Sequence, residues 1–290
     1  MTTTSSTSAD ATTLLVDTSL LIQQQKREKY AAPVRKALAP YSFKGASSYS
    51  KLEFKRAWLQ RFAYLHETSR RSDITSINDL IDHINRTLAS HPYQKRRLQT
   101  CLDMLIKFFD LNNGRISSRA QLSKLQAHCR RCALDSSAAL AQLVTHFFTG
   151  TRCVRAEEPV TQQPDGSLDA SIPRCKPAHA ACAIRNFFTQ HRTLFIQIAN
   201  HVDALSAPSA ELQAIRDNIR LALTSPEHLC SSSNCSKIAD AIIAIDGANM
   251  AVFAANNDAE WRPIASALGK PLLNPVQHST PDATVPDPGV

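Results

Sequence analysis

The sequence predicts an α/β fold, a parallel-sheet core carrying a large α-helical insertion, and three observations predict it. Leu14 to Ile22 is a nearly continuous apolar run of strand length, as a parallel strand covered on both faces requires. A second strand-like run, Met250 to Ala254, stands near the other end of the chain. Between them apolar residues recur mostly at three- and four-residue spacings, the period of amphipathic helices packed on one another.

Taken in order, the first strand leads to a short helical stretch from Pro33 to Leu38, since proline is tolerated in a first helical turn. A short Tyr41-Ser42-Phe43 segment follows, then a helix from about Ser48 to Leu65 with Leu52, Trp58, Leu59 and Phe62 on its buried side. Three apolar stripes come next. Ile74, Ile77, Leu80-Ile81, Ile84 and Leu88 form the first, and Leu98, Cys101-Leu102, Leu105-Ile106 and Phe109 the second. Leu140, Leu143-Val144 and Phe147-Phe148 form the third, and all three are expected to be helical. Ile184 to Val202 and Leu212 to Leu223 continue the pattern. Gly150 to Cys182 breaks it, with four prolines and no helical period; an irregular loop is expected there, with a small hairpin turning at Asp165-Gly166. A loop of that length needs its own fastening or stays mobile. Pro263 to Leu272 reads as a closing helix and a last short strand. The organisation that follows is a discontinuous core of residues 14–64 and 234–275, an insertion over 65–233, and ends at 1–13 and 276–290 without packed structure.

Composition narrows the function classes. No apolar run approaches the ~20 residues of a membrane span, and the Thr/Ser-rich start lacks the basic-then-apolar order of a secretory signal. A cytoplasmic protein is expected, whose eight cysteines are thiols or metal ligands rather than disulfides. The formal net charge of +8 favours a polyanionic partner. Basic residues cluster at Lys26-Arg27, Arg70-Arg71, Lys95-Arg96-Arg97 and Arg130-Arg131, each of which alone is a solvated helix face. Lys55 and Arg56 differ, because they lie within one helical turn of Glu53, where a phosphate backbone would need countercharge.

Acidic residues stand within or beside the apolar runs: Asp17 with Thr18 and Ser19, Glu53 after Ser47-Ser48-Tyr49-Ser50, Asp240 in Lys237-Ile238-Ala239-Asp240-Ala241-Ile242-Ile243-Ala244, and Asp258 and Glu260 in Ala255-Asn256-Asn257-Asp258-Ala259-Glu260-Trp261. A lone buried carboxylate costs several kcal/mol unless its charge is compensated. Each also has a structural use: Asp17 as a helix N-cap, Glu53 as a partner for neighbouring Lys or Arg. Taken together, their order resembles the PIN-domain family of metal-dependent nucleases over roughly residues 12 to 64 and 234 to 275. The resemblance implies a parallel-sheet core that gathers these acids at the C-terminal ends of its strands. It implies Asp17 and Asp240 as ligands of Mg²⁺ or Mn²⁺, and Glu53 as a ligand directly or through water. Ser19 or Thr18 would orient the metal ligands, and Lys55, Arg56, Ser19 and Asn257 would face the substrate. At the fourth acidic position the alignment sets Asn257 at the ligand site and Glu260 at the following acid, with Asp258 displaced by one residue. RNA is then the expected substrate, ahead of DNA. A toxin held by an inhibitory protein partner and a homo-oligomer are both compatible with the same sequence. So is a non-catalytic nucleic-acid- or protein-binding module with a degenerate acidic set. A haloacid-dehalogenase-like phosphatase is disfavoured, because Ser19 stands where that chemistry needs its second aspartate.

The remaining constellation is cysteine-rich. Cys129 and Cys132 form a C-x-x-C that a helix would turn into core residues at i and i+3. Cys175, Cys182, Cys230 and Cys235 concentrate where helical order fails, and are the expected ligands if a structural Zn²⁺ ties the loop to the core.

Overall fold

The fold is known from a computed structural model, which describes residues 13–91, 94–112, 119–135, 140, 143–153, 158–172 and 182–275. The expected unpacked ends (all but Thr13) and Cys175 lie outside the described residues. The strands are β1 (Thr13–Val16), β2 (Phe43–Ser47), β3 (His146–Phe148), β4 (Thr161–Gln162), β5 (Leu168–Asp169), β6 (Val252–Ala254) and β7 (Leu272–Leu273). Five of them form one sheet in the order β3-β2-β1-β6-β7, with every pairing parallel. β4 and β5 form the expected hairpin, and Gly166 at its turn has φ +82°, a conformation that favours glycine.

The apolar run at 14–22 divides in two. Its strand ends at Val16, and Asp17 caps α1 (Thr18–Gln24), accepting from the Ser19 N–H at 2.9 Å. A short apolar run carries both readings, and the capping side chain decides where the strand stops. α2 (Glu28–Leu38) begins five residues earlier than expected, so Pro33 lies inside it rather than in its first turn. α3 (Tyr49–Phe54) runs through a π-helical segment (Lys55–Leu59) into α4 (Gln60–Ser69), with Leu52, Trp58, Leu59 and Phe62 buried as expected.

α5 (Ile77–Ser90) and α6 (Lys95–Leu111) follow the first two predicted stripes, α7 (Arg119–Leu134) forms where no stripe was expected, and α5 opens with a Ser76–Asp79 capping box. Residues Phe147-Phe148 do not continue the helical pattern: they pair with Ala46 and Ser47 as strand β3. Val144-Thr145-His146-Phe147-Phe148 is rich in β-branched and aromatic residues, and that local preference prevails over an apparent helical period. Gly45 of β2 faces the Phe148 ring, which any Cβ there would strike. The segment expected as an insertion therefore supplies a strand of the main sheet.

The later helices are α8 (Ala183–Gln190), α9 (Arg192–Asp203), α10 (Ala210–Thr224), α11 (Ser232–Lys237), α12 (Ala239–Asp246) and α13 (Asp258–Ala267). Alternation along β1 separates two cores. Leu14 and Val16 pack with α4 to α7, and Leu15 packs with α8 to α13. No helix among the described residues is long and apolar enough to cross a membrane.

Across the second core, the backbone of α12 comes close to β1 at Gly247. A Cβ added there would lie 2.5 to 2.9 Å from the side-chain carbons of fully buried Leu15. Gly247→Ala should therefore cost ~1–3 kcal/mol by overpacking, read as a lower urea midpoint at unchanged m-value; an unchanged midpoint would mean that the contact relaxes freely.

Candidate functional site

In the sheet order, the chain leaves β1 on one side toward β2 and β3 and returns on the other as β6 and β7. β1 and β6 therefore flank the topological switch point, where parallel α/β sheets bind ligands beyond the carboxyl ends of their strands. The Asp17 N–H donates to the Ala254 carbonyl at 2.9 Å, so both central strands end at the same level. Asp17 stands there, only 4% exposed, as the N-cap of α1. Burial raises its pKa, against the hydrogen bonds from Ser19 and Thr18, and the Glu260 charge raises it further.

Glu53 approaches from α3. The Thr18 hydroxyl donates to Glu53 Oε2 at 2.7 Å, so adjacent residues of α1 hold two different acids. Burial, reinforced by Asp17, pushes the Glu53 pKa from 4.5 up to about 7, despite the Thr18 bond and the Arg56 charge. Asp240 lies in the first turn of α12 and Glu260 in the first turn of α13. Burial drives the Asp240 carboxyl well above its usual range. Asp17, Glu53 and Glu260 add to this through their charges, and Glu260 shares a hydrogen bond with it. Asp17, Glu53, Asp240 and Glu260 thus form one electrostatic group, three of them at helix N-termini whose partial positive charge favours an anion.

A cavity of about 350 Å³ opens onto this group, lined by Glu53, Asp240 and Glu260 with Ile215 and Ala239 as apolar wall and exposed Glu211 and Lys237 at its edge. Neither Lys237 nor Glu211 was singled out in the sequence. The signal for Lys237 is its place three residues before Asp240, one helical turn away.

The other expected site residues stand differently. Asp258 accepts from Asn274 Nδ2 at 2.9 Å and from Arg262, which makes it a strut between α13 and the end of the sheet rather than a cavity wall. Asn257 precedes α13, makes no side-chain capping bond and does not line the cavity. Lys55 is buried and donates to the Glu158 carbonyl at 2.6 Å, fastening the irregular loop to the π-helical segment. Arg56 alone of that pair acts on the acidic group: burial raises the Glu53 and Tyr49 pKa values, the Arg56 charge opposes both shifts, and Arg56 makes no hydrogen bond or ion pair among the described residues. π-helical turns inside α-helices recur at functional sites, and this one follows Glu53 by two residues.

The donors suit a hard divalent cation in kind, since all are carboxylate or hydroxyl oxygens whose mutual repulsion a cation would relieve. Their spacing is open. Among the described residues no three Asp, Glu, His or Cys side chains stand close enough to enclose a metal ion. The same holds for Cys182, Cys230 and Cys235, of which Cys235 receives the Tyr49 hydroxyl at 3.5 Å. Cys101 and Cys129 are core residues of the helical layer, and burial pushes the Cys101 thiol up to about 12.

No protein-family model, curated protein or solved structure matches this chain.

The raised carboxyls fix a sign for pH. A group protonated in the folded state above its unfolded pKa contributes stability at low pH that is lost as pH rises through the folded value. In EDTA, raising the pH across the window from 4.5 to about 7 should therefore lower the melting temperature of the parent more than that of Glu53→Gln. A variant as pH-sensitive as the parent over that window would show that Glu53 titrates at its ordinary value.

Proposed function

We propose that the chain is a divalent-metal-dependent nuclease that hydrolyses phosphodiester bonds of RNA, on a PIN-like variant of the parallel α/β fold. The observation that carries this reading is the meeting of Asp17, Glu53, Asp240 and Glu260 at the switch point of the sheet, beside an open cavity. Their order along the sequence, the resemblance to PIN-domain nucleases and the net charge of +8 support it.

Asp17 and Asp240 would hold Mg²⁺ or Mn²⁺, with Glu53 and Glu260 close by. A bound cation supplies countercharge for the anionic transition state and acidifies a water. The chain's own groups do the rest. Ser19 and Thr18 fix the rotamers of Asp17 and Glu53. Arg56 is the cation available to a phosphate next to the carboxylates. Glu53, poised near neutrality, accepts at its carboxylate oxygen the proton of the attacking water. The water oxygen bonds to phosphorus, the P–O bond to the departing ribose oxygen breaks, and that oxygen takes a proton from solvent to leave as a hydroxyl.

A second reading, a binding module without catalysis, is favoured by the open spacing of the acids and by Asn257 at the fourth position. One variant separates the two. Asp240→Asn should lose Mn²⁺-dependent cleavage of a single-stranded oligoribonucleotide and melt in EDTA at the parent's temperature or above, while Mn²⁺ should raise the melting point of the parent alone. No cleavage by the parent, and no shift with Mn²⁺, would leave the binding module. For the substrate path, Arg56→Ala should reduce the log–log salt slope of RNA binding by ~0.7–0.9, one phosphate contact, and Lys55→Ala should leave it unchanged. Equal slopes for the parent and Arg56→Ala would remove that contact.

A further inference from the structure

A second cavity, of about 470 Å³, lies between α6 and α7 in the other core, lined by residues distinct from those of the acidic cavity. From α7 it takes Lys124, His128 and Arg131, which fall on one helix face at spacings of four, three and seven residues. From α6 it takes Phe108, Leu111 and Asn112, again on one face. Their chemistry is uneven in a telling way. Among the described residues no Asp or Glu lines the cavity, whereas two permanent cations do. Neither the Lys124 nor the Arg131 side chain makes a hydrogen bond or ion pair among the described residues. Lys107 adds a third positive charge nearby: it and Arg131 both lower the His128 pKa, after burial, which does most.

Between the cations stands an aromatic floor. The Phe108 and His128 rings are 5.4 Å apart and tilted by 47°, and Phe62 meets His128 edge-on from below at 6.0 Å. At the lip Leu111 is 63% exposed, a large apolar side chain left facing water. Asn112 is held by the Phe108 carbonyl at 2.7 Å and offers an amide at the same lip. Solvated basic helix faces usually carry acids that partner them, and apolar pockets usually lack unpartnered cations. This cavity combines cations, flat rings, an apolar lip and an amide, within the size range of a small-molecule site.

We propose that this cavity binds a nucleotide, with the base against Phe108, His128 and Leu111 and the phosphate between Lys124 and Arg131. The two cations are seven residues apart on one helix, ~10 Å along its axis, a span that two long side chains can close onto one phosphate from opposite sides. Base–aromatic stacking tolerates any base, so the site selects for a phosphorylated nucleoside rather than for a sequence. The nucleotide arrives either free or as one unit of a strand. The chemistry is the same for both, and the site is independent of the proposed hydrolysis.

The test uses full-length Asp240→Asn protein in EDTA, so that the outcome does not depend on any cleavage. Adenosine monophosphate, adenosine, inorganic phosphate and a short oligoribonucleotide are titrated by calorimetry. The nucleotide should bind, and adenosine and phosphate should each bind more weakly. Lys124→Ala and Arg131→Ala should each lower affinity roughly tenfold, the effect of losing one charge-assisted hydrogen bond. Phe108→Leu keeps the apolar volume and should weaken nucleotide binding without affecting phosphate. Affinity for the oligoribonucleotide alone, with the same sensitivity to Lys124 and Arg131, would place the nucleotide within a strand. No binding by either probe, or binding indifferent to Lys124, Arg131 and Phe108, would overturn the proposal.

Discussion

Gathering four carboxylates in one partly buried place is the constraint on which the rest of this structure depends. Each such charge loses several kcal/mol of hydration that water would have supplied. The compensation visible is real but smaller. A helix N-terminus contributes ~0.3–1 kcal/mol to a nearby anion, and a hydrogen bond to a charged group ~1.5–3 kcal/mol. Asp17 has both, Asp240 and Glu260 have helix ends, and Glu53 has the Thr18 hydroxyl and the Arg56 charge. The deficit shows at Asp17, Glu53 and Asp240, whose carboxyls burial holds above their usual range. The acids stay together only because two apolar cores fix the strands and helices that carry them.

The parallel sheet explains why they meet at all. β1, β2 and β6 each pass into a helix at this edge, which brings together Asp17 at the start of α1, Glu53 on α3 and Glu260 in the first turn of α13. The closure is long-range: the Ala251 N–H donates to the Thr13 hydroxyl across a separation of 238 positions. The intervening chain is no appendage, since it contributes an edge strand and helices to both cores. A second buried polar knot ties that chain in. Asp246 accepts from the Ser47 and Thr151 hydroxyls at 2.7 Å each, joining the end of α12 to β2 and to the turn after β3.

Much of this was legible in the sequence, and the failures have physical causes. β6, β7, the hairpin at Asp165-Gly166 and most helices follow from period and punctuation, while α13 begins five residues before the expected Pro263 and takes in Asp258 and Glu260. Asp17 satisfies both readings the sequence left open, helix cap and member of the acidic group. β3 was hidden because Leu143, Val144, Phe147 and Phe148 suit a helical stripe while their side-chain types suit a strand. Lys55 and Arg56 look equivalent as neighbours, yet one is buried under the loop and the other acts on Glu53. No spacing rule could separate them, because the helix is not α-helical where they lie. Asp258 and Glu260 diverge because only the latter points back toward α12, while Arg262 and Asn274 claim the former.

The π-helical segment at Lys55–Leu59 has a further consequence. It is one residue out of step with an α-helix, so it works as a phase shifter between two stretches of the same rod. Below it, α4 turns Phe62 and Leu65 toward its core; above it, α3 turns Glu53 toward Asp17 and Tyr49 toward Cys235. Each stretch keeps its own angular setting. Winding the same residues as a uniform α-helix would swing one end relative to the other by ~90°. Either the packing face or the acid face would then be correctly aimed, but not both.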